Sequence, residues 1–348
     1  MIKFTSFPKI EQFRSTVRSV CTNASFIGLS DSGEPIYDNS ITKPTITFTG
    51  TIKIHGTNAA VCTDGTNTWA QSRKNIITSL RDNSGFAFFS ESNKELFSEL
   101  FDDIYKFFNI DRKNTVCLFG EWCGEGIQKG VAVNDLDKMF VIFAIKVVSD
   151  DDEIDNYFVD YDDFILKANI PSKTNNKRVF WIQQFQTHSI DIDFNHPEEV
   201  QNKLIQLTEQ VESECPVGKA FGVSGVGEGI VWHAFTDRGC LRFKVKGEKH
   251  SASKVKKLAS VDPEKIASAK EFADNTVTEN RLEQAIQEVF IVPGVEISKK
   301  QMGNFLSWIK SDIFTEEGDT LYASGLEPKD VVGLICKKAV DWFMKKYG

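Results

Sequence analysis

Apolar and threonine positions alternate from Thr45 to Ile54, and this run reads as a half-buried strand. Two shorter strands follow at Ala59–Cys62 and Thr68–Gln71. Between them, Thr63-Asp64-Gly65-Thr66-Asn67 carries the Asp-Gly step of a hairpin. The period then changes. Leu96, Leu100, Ile104, Phe107 and Phe108 recur at helical spacing, which predicts a helix over Glu91–Phe108. Val116–Gly120, Phe140–Val147 and Val179–Phe185 are apolar runs of strand length. Pro197–Glu212 opens on Pro-Glu-Glu and reads as a helix, because proline fits a first turn and acids complement the helix dipole there. Gly229–Phe235 and Cys240–Val245 are strands around the turn Thr236-Asp237-Arg238-Gly239. Residues 1–45 are mixed and are expected to cap the larger domain.

Strand signals nearly vanish past Lys249–Ser260. Asp262 caps a helix starting at Lys265; Glu279–Phe290 is another, broken at Pro293-Gly294; Ser298–Ile313 and Val331–Lys346 complete the set. The expected architecture is α+β: an antiparallel-sheet-rich domain over residues 1–250, then a small all-helical C-terminal domain over residues 260–348. No internal repeat or low-complexity tract interrupts it.

Composition narrows the function classes. Net charge is -8, so a uniformly basic nucleic-acid coat is excluded, though a local basic groove on an acidic body is not. The stretch Lys244–Lys257 is that exception, with six lysines and one acid. Seven cysteines lie scattered without a C-x-x-C pair, which argues against a disulfide framework or a zinc site and for a reducing, cytoplasmic setting (or the host cytoplasm for a viral protein). No apolar run is long enough for a membrane span, and the first residues lack a secretory stretch. The 28 phenylalanines are mostly core material.

Five polar clusters carry the chemistry. Lys53-Ile54-His55-Gly56-Thr57-Asn58 closes the first strand. A lysine at a strand end is usually solvated; a nucleophile must be a neutral amine, and burial with nearby cations is expected to push its pKa down from about 10.4. Ser72-Arg73 lies across the hairpin, with Arg73 suited to forking a phosphate. Glu121 ends an apolar strand in Phe119-Gly120-Glu121, ahead of two glycines, and suits ribose hydroxyls. Phe143, within Phe140–Ile145, is either core or a platform for a purine. The glycine-rich run before Glu228 is neither a P-loop nor a dinucleotide fingerprint, since no Gly-Lys-Ser/Thr follows and a strand rather than a helix comes next. Glu228 suits a hard divalent cation. Lys244 and Lys246 alternate on one strand and so share a face, as needed to flank one phosphate. Histidines 188, 196, 233 and 250 show no metal spacing.

The order Lys-x-His-Gly-x-Asn, Ser-Arg, Phe-Gly-Glu, Phe-x-x-Phe, Glu-Gly and Lys-x-Lys resembles the covalent nucleotidyltransferase superfamily of polynucleotide ligases and mRNA capping enzymes. Within it, Lys53–Asn58 and the run Gly124–Gly130 look like the RNA ligase 2 family, which includes phage nick-sealing ligases. The resemblance covers residues 1–250 well and the helical tail more loosely. It implies an ATP-grasp-like nucleotidyltransferase domain, ATP, and Mg²⁺ or Mn²⁺. It makes Lys53 the adenylated nucleophile, with Ile54, His55, Asn58, Arg73, Glu121, Phe143, Glu228, Lys244 and Lys246 around the nucleotide. Glu121 would hold the ribose, Phe143 the adenine, Glu228 the metal, and Lys244 and Lys246 the α-phosphate. Arg73 with Lys249, Lys254, Lys256 and Lys257 would engage nucleic acid. Ile52 and Ala144 depart from the family pattern, where acidic residues are frequent.

The expected activity is ATP-dependent RNA ligation of a 3′-OH to a 5′-phosphate, in nicked duplex RNA or an RNA/DNA hybrid, through lysyl-AMP and an adenylated 5′ end, by a monomer acting in RNA repair. The rival expectations are a DNA ligase or GTP-using capping enzyme of the same superfamily, and a nucleic-acid-binding protein that has lost catalysis.

Overall fold

The computed structural model describes residues 2–150, 156–251, 268–290 and 297–348. The chain divides into two compact units. The first comprises Met1–Ile10, Thr47–Asp191 and Gln206–Lys244; the second comprises Glu11–Ile46, Ile192–Ile205 and Val245–Gly348. The mixed, antiparallel-rich α+β architecture and the C-terminal helices agree with the sequence reading.

A seven-stranded sheet dominates the first unit. Its strands run in the order Tyr157–Val159, Met139–Val148, Thr115–Cys123, Thr57–Thr63, Thr68–Ser72, Ile76–Ile77, and Val179–Trp181 adds parallel to Met139–Val148. The helices Phe86–Ser92 and Lys94–Phe107 cover one face. Leu96, Phe97, Leu100, Phe101 and Ile104 meet Ala59, Val61, Leu118 and Ile142 in a continuous core. On the opposite face Ala60, Cys62, Cys117, Phe119 and Ala144 pack under Phe7. A second sheet carries Gly239–Lys246, Gly229–Thr236, Thr45–Lys53 and Thr187–Asp193 in that order. Its buried face holds Phe48, Ile52, Trp232 and Phe243.

The second unit packs the helices Ala269–Thr276, Glu279–Phe290, Met302–Ala323 and Pro328–Tyr347 around Phe272, Leu282, Phe305, Ile309, Val331, Ile335 and Phe343. The helix Phe13–Ser25 belongs to this unit as well. Arg14 donates to Thr320 Oγ1 at 3.0 Å and lies 3.5 Å from Glu317 Oε2. From the other side, Arg281 lies 3.6 Å from Glu317 Oε1 and 2.9 Å from Asp312 Oδ2. Arg281 and Glu317 are both fully buried. No helix among the described residues is long and apolar enough to cross a membrane.

Several expected elements are corrected. The single helix over Glu91–Phe108 is two, Phe86–Ser92 and Lys94–Phe107. Asn93 divides them by donating from its side chain to the Phe89 carbonyl at 2.9 Å, a local alternative to the helical ladder. The strand over Val179–Phe185 ends at Trp181 in a 3-10 turn, where Gln184 Oε1 accepts from the Trp181 amide at 2.7 Å. Pro197–Val200 is also a 3-10 turn, with the α-helix beginning at Gln201. The helix expected over Ser298–Ile313 begins at Met302 and runs on to Ala323. The start expected at Lys265, with its Asp262 cap, lies outside the described residues; the described helix begins at Ala269, where Ser268 Oγ accepts from the Glu271 amide at 3.1 Å.

Candidate active site

Lys53 is the last residue of its strand, and Gly229 pairs with it directly on the neighbouring strand. That register brings Glu228 alongside. Lys53 Nζ donates to Glu228 Oε2 at 2.7 Å, and His55 Nδ1 lies 3.2 Å from the same oxygen. The Glu228 side chain is 2% exposed and that of Lys53 21%. Ile54, between Lys53 and His55, is buried.

Glu121 reaches this corner from the other sheet. It pairs with Asn58 across the ladder, so the two side chains share a face. Glu121 Oε1 accepts from the Gly56 amide at 3.0 Å. Gly56 is fixed by a close approach, since a Cβ there would stand 2.3 Å from the Trp122 carbonyl oxygen. Gln128 closes the turn by donating to the Gly56 carbonyl at 3.1 Å, and Asn83 donates to Thr57 Oγ1 at 3.2 Å. Neither role was read from the sequence. Gln128 stood within the Gly124–Gly130 run without a partner to suggest, and Asn83 lies in a segment with no motif.

The electrostatics differ from the expectation for Lys53. Burial does pull its ammonium down, but the Glu228 charge, the Glu121 charge and the Glu228 hydrogen bond together outweigh burial and the opposing Arg73. The net shift is upward, so the amine rests as a charged ion pair. Glu121 moves the other way from an ordinary carboxyl. Burial lifts it to about 7, with Glu228 adding to the rise and Lys53, the Gly56 amide and Arg73 opposing it. Arg73 is exposed at the tip of a tight turn. It is near enough to act on both Lys53 and Glu121.

Phe143 owes its direction to a bulge. Phe119 pairs with Ala144 and Gly120 with Ile142, which leaves Phe143 as the extra residue. Its ring packs edge-on to Phe7, with centroids 5.2 Å apart, on the face that also carries Glu121. Lys244 and Lys246 share the strand Gly239–Lys246, where the alternate residues Phe243 and Val245 are buried. Lys249 is exposed just beyond it. Lys254, Lys256 and Lys257 lie outside the described residues.

A family model described as RNA ligase matches residues 46–249, well over half of the chain. The chain belongs to the RNA ligase family. That match spans every motif from Lys53 to Lys246 and agrees with the resemblance seen in their order. Among solved structures, the Naegleria gruberi RNA ligase with PPi is 16% identical and aligns with a TM-score of 0.43, covering 72% of this chain and 58% of that one. A mutant of that RNA ligase with ATP and Mn gives the same identity, TM-score and coverage, 16%, 0.43, 72% and 58%. An apo mutant gives 17% and 0.44, covering 72% and 59%. The chain thus spans less than two thirds of these neighbours' length. No curated protein matches it.

Proposed function

We propose that this member of the RNA ligase family is an ATP-dependent RNA ligase that joins a 3′-OH to a 5′-phosphate end, with Lys53 as the adenylated nucleophile. The observation that carries the reading is the corner where Lys53 and His55 both reach Glu228 Oε2 and Glu121 holds the adjoining turn through the Gly56 amide, with Arg73 near enough to act on Lys53 and Glu121. A primary amine held among carboxylates and a guanidinium is suited to attack a phosphoryl group and retain the nucleotide. The Naegleria structures with ATP and Mn supply the cofactor class for the proposal.

The donor set fits a divalent cation of the Mg²⁺ or Mn²⁺ kind. Among the described residues no three His, Cys, Asp or Glu side chains form a closed metal cage. Mg²⁺ typically takes only one or two protein carboxylates and completes its shell with phosphate oxygens and water, which the buried Glu228 can satisfy. When bound, the ion would neutralise charge on the triphosphate. The chain's own residues do the rest. Glu121 accepts from the ribose, Phe143 stacks on the base, and Lys244 and Lys246 flank the α-phosphate. Lys53 attacks it with loss of pyrophosphate, AMP passes to a 5′-phosphate end, and a 3′-OH displaces AMP. Positioning and charge stabilisation supply most of the acceleration. The substrate is proposed to be a nicked duplex, engaged also by the lysines at 249–257.

The test is incubation with radiolabelled ATP and Mg²⁺, followed by a denaturing gel. A covalent label that survives denaturation on the wild type, stable to alkali and released by acid as a phosphoramidate is, and none on Lys53→Ala is expected. GTP in place of ATP, and nicked DNA in place of nicked RNA, separate the related activities. A wild type that takes no label from either nucleotide would leave a binding protein without catalysis.

A further inference from the structure

Ser72, Arg73, Lys74 and Asn75 form a tight turn, with the Ser72 amide donating to the Asn75 carbonyl at 2.8 Å. Arg73 and Lys74 occupy its tip. The edge strand Ile76–Ile77 then pairs back on Ala70 and Gln71, and buried Ile77 pins it to the sheet. A second two-residue turn follows at once. The Arg81 amide donates to the Thr78 carbonyl at 2.9 Å, which puts Ser79 and Leu80 at the tip. The chain finally returns to the catalytic corner, where Asn83 donates to Thr57 Oγ1 and the Ser84 carbonyl accepts from Trp122 Nε1 at 3.1 Å. Residues 73–83 are therefore an arm rooted at both ends beside the Gly56 turn.

Its surface is unusual for an acidic protein. Leu80 is 99% exposed, and nearby Phe88 is 66% exposed. A single exposed leucine means little by itself. Here it sits directly before Arg81, whose exposed guanidinium has no acidic partner among the described residues. The neighbouring acids accept from backbone amides. Asp82 accepts from the amides of Asn83, Ala87 and Phe88 at 2.6, 2.7 and 3.1 Å at the start of a helix. Glu91 accepts from the Ser79 amide at 3.4 Å. Three cations and an apolar tip on a pinned edge, beginning at a residue that acts on Lys53, form a surface complementary to a polyanion with apolar sugar and base faces.

We propose that this arm is the seat of an RNA strand beside the end being joined, with Arg81 on a backbone phosphate and Leu80 against an exposed sugar or base. The inference rests on the RNA ligase reading and deepens it. The backbone contact supplies affinity and salt dependence, and the apolar contact supplies position. A protein partner is the other class such a tip would suit, but the exposed Arg81, beside an Asp82 whose carboxylate is taken by backbone amides, favours the polyanion.

The experiment compares full-length wild type, Arg81→Ala and Leu80→Ser. Binding to a fluorescently labelled nicked RNA duplex is followed by anisotropy over a salt series, with ATP labelling measured in parallel. Arg81→Ala is expected to weaken RNA binding several-fold at low salt. It should also reduce the slope of log affinity against log salt by about 0.9, the value of one lost phosphate contact. Leu80→Ser is expected to weaken binding with the slope unchanged. Both variants should label with ATP as the wild type does. Unchanged affinity and slope in both would overturn the proposal and turn the tip towards protein. A wild type that binds RNA through the arm yet takes no label would sink the ligase reading and leave this surface standing.

Discussion

Lys53 Nζ stands 2.7 Å from Glu228 Oε2, and this contact decides the resting charge of the proposed nucleophile. An amine serves as a nucleophile only after losing its proton. Glu228 and Glu121 hold that proton more firmly than an isolated lysine would. The first step therefore gains from rising pH across the neutral and alkaline range. Single-turnover labelling by ATP is expected to accelerate with pH. In Glu228→Gln the inflection should move to lower pH, because burial then dominates, even as the maximal rate falls. An inflection that stays in place would show that Glu228 does not set the amine's charge.

Glu121 ties stability to pH with a definite sign. Its carboxyl is lifted from 4.5 to about 7 in the folded chain, so folding favours the protonated form. The stabilising contribution is whole below the unfolded value, is lost as pH rises between the two, and is absent above about 7. Glu121→Gln keeps a neutral side chain throughout. Its melting temperature should exceed that of the wild type at pH 8 and match it near pH 4, while its nucleotide labelling falls. Thermal melts at both pH values read the first effect, and equal melting temperatures at pH 8 would contradict it.

Gly56 tolerates no side chain. A Cβ would meet the Trp122 carbonyl oxygen at 2.3 Å and Cys123 Cβ at 2.9 Å, both on a central strand that cannot retreat. Gly56→Ala must displace the turn that orients His55 and the amide bound to Glu121. A misplacement near 1 Å at a reacting centre typically costs about 10²-fold, and a loss of that order is expected in the labelling rate. Circular dichroism should show the fold retained, and full activity would place the turn outside the site.

In the helical unit, Arg281→Ala should be strongly destabilising. It removes the partner of Asp312 and one of the two guanidiniums on the fully buried Glu317. Breaking a buried ion pair from one side typically costs ~3–5 kcal/mol. Urea denaturation monitored by circular dichroism measures this, and a midpoint shift no larger than that of an exposed Lys→Ala change would refute it.

The site was largely legible where it is local. Lys53, Gly56, Asn58 and Glu121 lie at strand ends or turns, and period-two patterning found both strands. What escaped depends on partners distant in the chain. The Lys53 charge is set by a carboxylate 175 residues away. Phe143 faces the Glu121 side because of a bulge, and a bulge exists only with respect to the neighbouring strand. Asn93 splits a helix whose apolar spacing continues unbroken across it, since a side-chain hydrogen bond leaves no mark on hydrophobic period. The arm at 73–83 carries no motif at all, and its exposure follows from how the edge strand folds back.

Arg14 and Glu317, 303 residues apart, meet in the same interior. During synthesis the helix Phe13–Ser25 leaves the ribosome long before Met302–Ala323 exists, so Arg14 must wait, solvated, until the 303 residues that separate it from Glu317 have been made. A shortened chain stopping near residue 250 would strand that guanidinium without its acceptors. It would expose the apolar side of its helix and so aggregate more readily than a catalytic fragment cut at a true linker.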